Sequence, residues 1–253
     1  MAVESLRARR GPAALPFARV VADPRAPLAA LVLGSLVVAA LAATVARDIG
    51  AIALDETLLK QSAVHYTSGL PGSLFHDLTA RGTSRLYSLV LAPLFAVLPG
   101  DAGVRGARVA NTLMFAGASI PVYLLALRAT TQRWLAAAAG VLSVAAPWLI
   151  LTTSIYGESL TLPLFMWTVW AIERSVRAPS WPRDLVALAL IAATMCTRTQ
   201  FGILFVAYWL CIAAAPLLGA GADALPVVWR RWARGWPLAT ALFGLVVLYV
   251  LYL

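Results

Sequence analysis

Three places far apart in the chain carry residue types that could do chemistry in one pocket: the adjacent carboxylates Asp55 and Glu56, the carboxylate Glu158, and the guanidinium of Arg198. Carboxylates take protons from hydroxyls or hold cations. A guanidinium offers a planar fork of donors that fits a carboxylate or a phosphate. Each group also has a plainer role open to it. Glu158 lies in Ser154-Ile155-Tyr156-Gly157-Glu158-Ser159, a polar break between two apolar runs, where a solvated loop acid is equally at home. Arg198, in Thr197-Arg198-Thr199-Gln200, is either an interfacial arginine reaching for water or a guanidinium turned into a water-filled cavity.

The elements that must position these groups are apolar. Of 253 residues 61% are hydrophobic and only 12% charged, and the mean hydropathy is strongly positive. That is more apolar surface than a water-soluble interior of this size can hide, so we expect an integral membrane protein. The apolar runs have helical length rather than ten-residue alternation, which points to helices and not a β-barrel. The net charge of +9 falls between the apolar runs. It therefore reads as orientation in a membrane and not as nucleic-acid binding.

The expected fold is all-α: a polytopic transmembrane bundle of about seven spans, with short surface-lying helices in the first extracytoplasmic loop. Residues 1–25 form a cytoplasmic tail and 26–253 the transmembrane module, with the first outer loop at 47–106. The run from about residue 26 to 46 exceeds the usual core of a signal peptide and reads as a retained anchor. The spans are placed at 26–46, 107–127, 134–153, 159–172, 185–197, 201–218 and 236–253.

The segment 86–98, short and interrupted by Pro93, decides the sidedness. If it stays in the interface, 13 of the 20 basic residues lie on the cytoplasmic side and 7 outside; if it crosses, the split is 8 and 12. The positive-inside rule favours the first arrangement. The inner face then carries 13 basic and 5 acidic residues, net +8, and the outer face 7 and 6, net +1. Asp55, Glu56, Glu158 and Arg198 all come to the outer face, while Glu173 and Asp184 fall among the inner acids.

Other polar and soft residues are read more plainly. His65 and His76 show no metal-ligand spacing, and Tyr66, Tyr87 and Tyr156 suit an outer aromatic belt. Trp229, Trp232 and Trp236, among Arg230, Arg231 and Arg234, read as an interfacial anchor. Cys196 and Cys211 lie in apolar segments and are expected to be buried packing thiols. No glycine-rich phosphate loop, paired-cysteine zinc motif or nucleophile elbow is present.

In order along the chain stand the acidic pair, then Leu86-Tyr87-Ser88-Leu89-Val90-Leu91-Ala92-Pro93, then Arg108-Val109-Ala110-Asn111 opening a span. Tyr156-Gly157-Glu158-Ser159-Leu160 and Thr197-Arg198-Thr199-Gln200 follow. This order, over about residues 26–215, resembles the GT-C fold glycosyltransferases that use polyprenyl-phosphate sugars. The nearest branch is the protein O-mannosyltransferase and aminoarabinose transferase group, in its actinobacterial forms. Ser88 stands where that family often has proline.

The resemblance implies a membrane enzyme of the cell envelope, in the plasma membrane with its N-terminus cytoplasmic. It would move a sugar from a lipid-linked donor to an acceptor hydroxyl at the extracytoplasmic face, with inversion. Asp55 would be the catalytic base, with Glu56 beside it and Glu158 the acid of the second outer loop. Arg198, with Gln200 next to it, would face the donor phosphate, and Tyr87, Arg85 and His65 would be candidate substrate contacts. Some members of the family hold a divalent metal with outer-loop carboxylates; the cofactor is left open here. The expected partners are membrane lipid and the polyprenyl-phosphate sugar. The last apolar run stops in mid-span at Leu253, so a missing C-terminal half or a partner subunit is also expected. The rival functions are a transporter or flippase for a lipid-linked substrate, and a truncated, non-catalytic scaffold.

Overall fold

A computed structural model describes residues 25–45, 54–67, 85–98, 100–145, 157–219 and 235–252. Within these helices the side chains of Asp55, Glu56, His65 and Arg85 lie outside the described set. Among the described residues every regular element is helical. We number them α1 (Ala26–Val45), α2 (Leu54–Thr67), α3 (Arg85–Val97), α4 (Asp101–Ala116), α5 (Ser119–Ala129) and α6 (Arg133–Ala145). After these come α7 (Glu158–Arg177), α8 (Trp181–Thr197), a 3₁₀ turn (Thr199–Gly202), α9 (Ile203–Gly219) and α10 (Pro237–Tyr252).

The helices and the apolar runs of the sequence coincide to within a few residues, with two informative differences. First, α4 and α5 form one stretch, Asp101–Ala129, which is long and apolar enough to cross a membrane; several of the other apolar helices are shorter, at 10–17 residues. The backbone stays right-handed helical through Gly117 and Ala118. It tightens there because Pro121 has no N–H to return to Gly117, and Ala118 N–H bonds Phe115 O at 3.0 Å, one residue short of the α pattern.

Second, α3 does not stand apart on a surface. Gly100, with φ 64°, makes the left-handed turn that only glycine adopts without strain, and sends α4 back along α3. Phe95, Leu91 and Tyr87 then pack in succession along α4, and Tyr87 donates its hydroxyl to Asn111 Oδ1 at 2.8 Å. Helix α2 lies against α3, with the Ser88 hydroxyl donating to Leu59 O at 3.3 Å.

The remaining helices pack through small residues and narrow faces. Among the described side chains of α1, Pro27, Leu31, Ser35 and Ala39, one helical face, are buried, while Leu33, Leu36, Val37 and Leu41 point outward. That face meets α6 at Gly140, where a β-carbon would stand 2.5 Å from Leu31 Cδ1 and 2.9 Å from the Ser119 carbonyl oxygen. Close approach of this kind needs a residue without a side chain. Helices α7 to α10 share a second core around Ala171, Ala187, Ile191, Tyr208 and Ile212.

Three expectations from the sequence are corrected. Cys196 and Cys211 are exposed, because they fall on outward apolar faces and not on the narrow buried ones. Trp236 is no interfacial anchor: it is 4% exposed, and its indole N–H donates to Ser175 O at 3.2 Å. Tyr87 has no exposed surface, so it is no part of an outer aromatic belt and instead holds α3 to α4. Trp229, Trp232 and Tyr156 lie outside the described residues.

Substituting Gly140 by valine should destabilise the fold by about 1–3 kcal/mol, the cost of overpacking a close helix crossing. A Gly140→Val protein whose thermal unfolding midpoint equals that of the parent would refute the tight α1–α5–α6 contact.

Candidate functional site

The site forms where α7 begins and α8 ends. These two helices are an antiparallel hairpin joined through Ala178, Pro179 and Ser180, so those termini share one end of the bundle. Their register is set by buried hydroxyls: Thr168 Oγ1 and Thr194 Oγ1 lie 2.9 Å apart, and Thr168 also bonds Leu190 O at 3.2 Å. Beyond Thr194 the helix stops at Arg198, whose backbone is extended (φ −154°, ψ 126°) and leads into the 3₁₀ turn. Phe201 of that turn packs on Phe165 of α7, ring centroids 5.7 Å apart.

Arg198, released from the helix, reaches along α7 and donates from a terminal guanidinium nitrogen to Glu158 Oε1. The partners are 40 positions apart in sequence. The side chains are 45% and 33% exposed, so water screens the pair and its net contribution to stability falls within roughly 0–1 kcal/mol. Glu158 sits in the first turn of α7, where the unpaired N–H groups of the helix start favour a negative charge. Its second oxygen, Oε2, is shut from solvent and has no hydrogen-bond partner among the described residues; the same holds for Ser159 Oγ beside it. Unsatisfied buried polar atoms are rare, and here they lie next to a guanidinium with donors to spare.

The same end of the bundle includes the α3–α4 contact. Leu160, one turn into α7, packs with Tyr87, Leu91 and Ala107. Asp55 and Glu56 belong to the first turn of α2, one turn before Leu59, whose carbonyl Ser88 holds. The side chains of both acids, like those of His65 and Arg85, are outside the described residues. Gln200 is exposed on the 3₁₀ turn two residues from Arg198. Among the described residues no group of three or more His, Cys, Asp or Glu could hold a metal ion.

One polar group is not legible as a partner in the sequence. Asp184, an inner-face acid between spans by its position in the chain, is fully buried. Its Oδ2 accepts the backbone N–H groups of Leu238 and Ala239 at 2.9 and 3.0 Å, and Oδ1 accepts the Tyr208 hydroxyl at 3.0 Å. Tyr208 in turn meets Ser175 Oγ at 2.7 Å. Asp184 therefore caps the start of α10 from another helix, satisfying N–H groups that have no partner within α10. The sequence cue is the match between a lone acid in the first turn of α8 and a Trp-Pro start more than 50 residues later, too remote to read.

Removing one member of the Glu158–Arg198 pair should cost less than about 1 kcal/mol, and the double Ala variant should cost less than the sum of the two singles. Additive losses in a double-mutant thermal cycle would mean the two side chains do not interact. Asp184→Ala should cost more, about 1–3 kcal/mol, because it strands two backbone donors and a phenol, while Asp184→Asn, which keeps an acceptor oxygen, should cost less. Equal thermal midpoints for Asp184→Ala and the parent would contradict the capping role.

Comparison with protein-family models, with curated proteins and with solved structures finds no match. What the chain does must therefore be read from its own side chains.

Proposed function

We propose that this chain is a multi-pass membrane protein and a glycosyltransferase that takes a sugar from a polyprenyl-phosphate donor. The observation that carries this reading is the pairing of Glu158 with Arg198 at one end of an apolar helical bundle. Support for the membrane comes from the inversion of the surface: Leu33, Leu41, Leu142, Ile203, Leu210 and Leu245 are all more than half exposed. Ser35, Asn111, Thr168, Thr194 and Asp184 are buried. Outward apolar faces with hydroxyls and a carboxylate inside are what a bundle in lipid needs, and they are costly in water. The full arrangement of about seven spans, and the extracytoplasmic position of the site, belong to this proposal.

The chemistry assigned to the site is a direct displacement. The acceptor hydroxyl attacks the anomeric carbon while Asp55, one turn from the Leu59–Ser88 contact, takes its proton. The bond from that carbon to the phosphate oxygen breaks, its electron pair stays on the phosphate, and configuration inverts. Arg198 offers its unused N–H groups to the phosphate as that charge grows, with Glu158 fixing the guanidinium plane. Gln200 is an additional donor at the same turn.

Membranes containing the full-length protein and supplied with a polyprenyl-phosphate sugar should transfer it to an acceptor. Asp55→Asn should lower turnover by about 10²-fold or more, the usual range for loss of a general base. Arg198→Lys should recover only part of the activity lost in Arg198→Gln, because an ammonium keeps the charge but loses the fork. Undiminished turnover in Asp55→Asn would remove the base, and substrate crossing sealed vesicles chemically unchanged would favour a flippase.

A further inference from the structure

The end of the bundle away from Glu158 and Arg198 holds a cleft of about 550 Å³ that the transfer reaction does not use. It opens where α5 and α7 end and α8 begins. Four arginines line it, Arg128, Arg174, Arg177 and Arg183, against the single carboxylate of Glu173. Two of the guanidiniums are fixed: that of Arg174 lies 5.2 Å over the Trp170 ring, and Arg183 donates to Ala178 O at 2.6 Å. Arg177 is tied to Glu173 at 2.5 Å. The floor is apolar, built from Leu124 and Leu127.

From this we infer that the cleft binds the phosphodiester headgroup of an anionic phospholipid. The inference rests on the membrane part of the proposal above and is independent of the sugar transfer. Three observations favour a lipid over a free anion. Leu124 and Leu127 give the floor a path for the glycerol and upper acyl carbons, which inorganic phosphate would leave unfilled. Trp181 and Trp134, 61% and 38% exposed at the same end, mark the level where indoles sit between headgroups and chains. The volume lies within the roughly 300–1,000 Å³ of small-molecule sites, large enough for a headgroup. Guanidiniums held by stacking and by a carbonyl lose little freedom on binding, and planar forks suit phosphate oxygens. Basic clefts between membrane helices are the sites where anionic headgroups gather.

The test is retention of lipid by the purified full-length protein, read by native mass spectrometry. The additions are phosphatidylglycerol, phosphatidylcholine of the same chains, and inorganic phosphate. Phosphatidylglycerol should be retained in preference to phosphatidylcholine, and millimolar phosphate should not displace it. The double change Arg128→Gln and Arg174→Gln should weaken phosphatidylglycerol binding roughly 30-fold, the loss expected for two charges near a headgroup. Equal retention of the two lipids by the parent protein, or an undiminished preference in the double variant, would overturn the inference. So would complete displacement by free phosphate, which would make the cleft a site for small anions. Comparing lipids on the parent protein needs no variant to fold, and no arm depends on transferase activity.

Discussion

The pairing of Glu158 with Arg198 depends on a contact some distance from it, where the hydroxyls of Thr168 and Thr194 meet between α7 and α8. The carbonyl oxygens four residues back, Leu164 O and Leu190 O, lie 2.7 Å from the two hydroxyl oxygens, so with one hydrogen apiece one threonine donates to a carbonyl while the other donates across to its partner. Both hydroxyls are thus satisfied in an interior where an unpaired one is expensive. A link of this kind fixes the axial register of two helices whose apolar side chains alone would tolerate sliding. With Thr194 opposite Thr168, the antiparallel hairpin sets Arg198 beside the second turn of α7. The remaining turn or so to Glu158, about 6–9 Å at 1.5 Å per residue, is a distance an extended arginine side chain can cover.

The same hairpin separates two kinds of charge. At its open end a carboxylate and a guanidinium face each other, partly exposed. At its closed end arginines outnumber acids, and the one deeply buried carboxylate among the described residues, Asp184, is consumed in holding α10. Since α7 is 20 residues long, the two ends are roughly 30 Å apart. The buried chain Ser175–Tyr208–Asp184 stiffens the closed end, because each member donates or accepts across a different pair of helices.

Much of this is legible from the order of apolar runs, since a stretch of membrane length has few conformations open to it besides helix. Which face of each run turns inward is not. Helices α1, α9 and α10 are apolar on every side, so their sequences contain no contrast by which to choose a face. That is why the sequence points Cys211, on α9, to the interior although it is exposed. Trp236 and Asp184 mislead for the complementary reason. A tryptophan or an acid at a span end looks interfacial unless the partner that buries it is known, and those partners, Ser175 and the start of α10, lie more than 50 residues away. Glu158 and Arg198 are 40 positions apart, and the sequence offers them as a pair only through the order of the apolar runs between them.

A partly exposed ion pair contributes little to stability, so its persistence calls for a different physical account. Glu158 leaves one oxygen unsatisfied and engages Arg198 through a single terminal nitrogen. A pair built for stability would use the bidentate fork and leave no acceptor stranded. The single contact through one terminal nitrogen commits only part of the guanidinium to Glu158, while Oε2 is closed off from solvent. The pair stands where it does because the threonines and aromatic rings between α7, α8 and the 3₁₀ turn keep the two helix ends together.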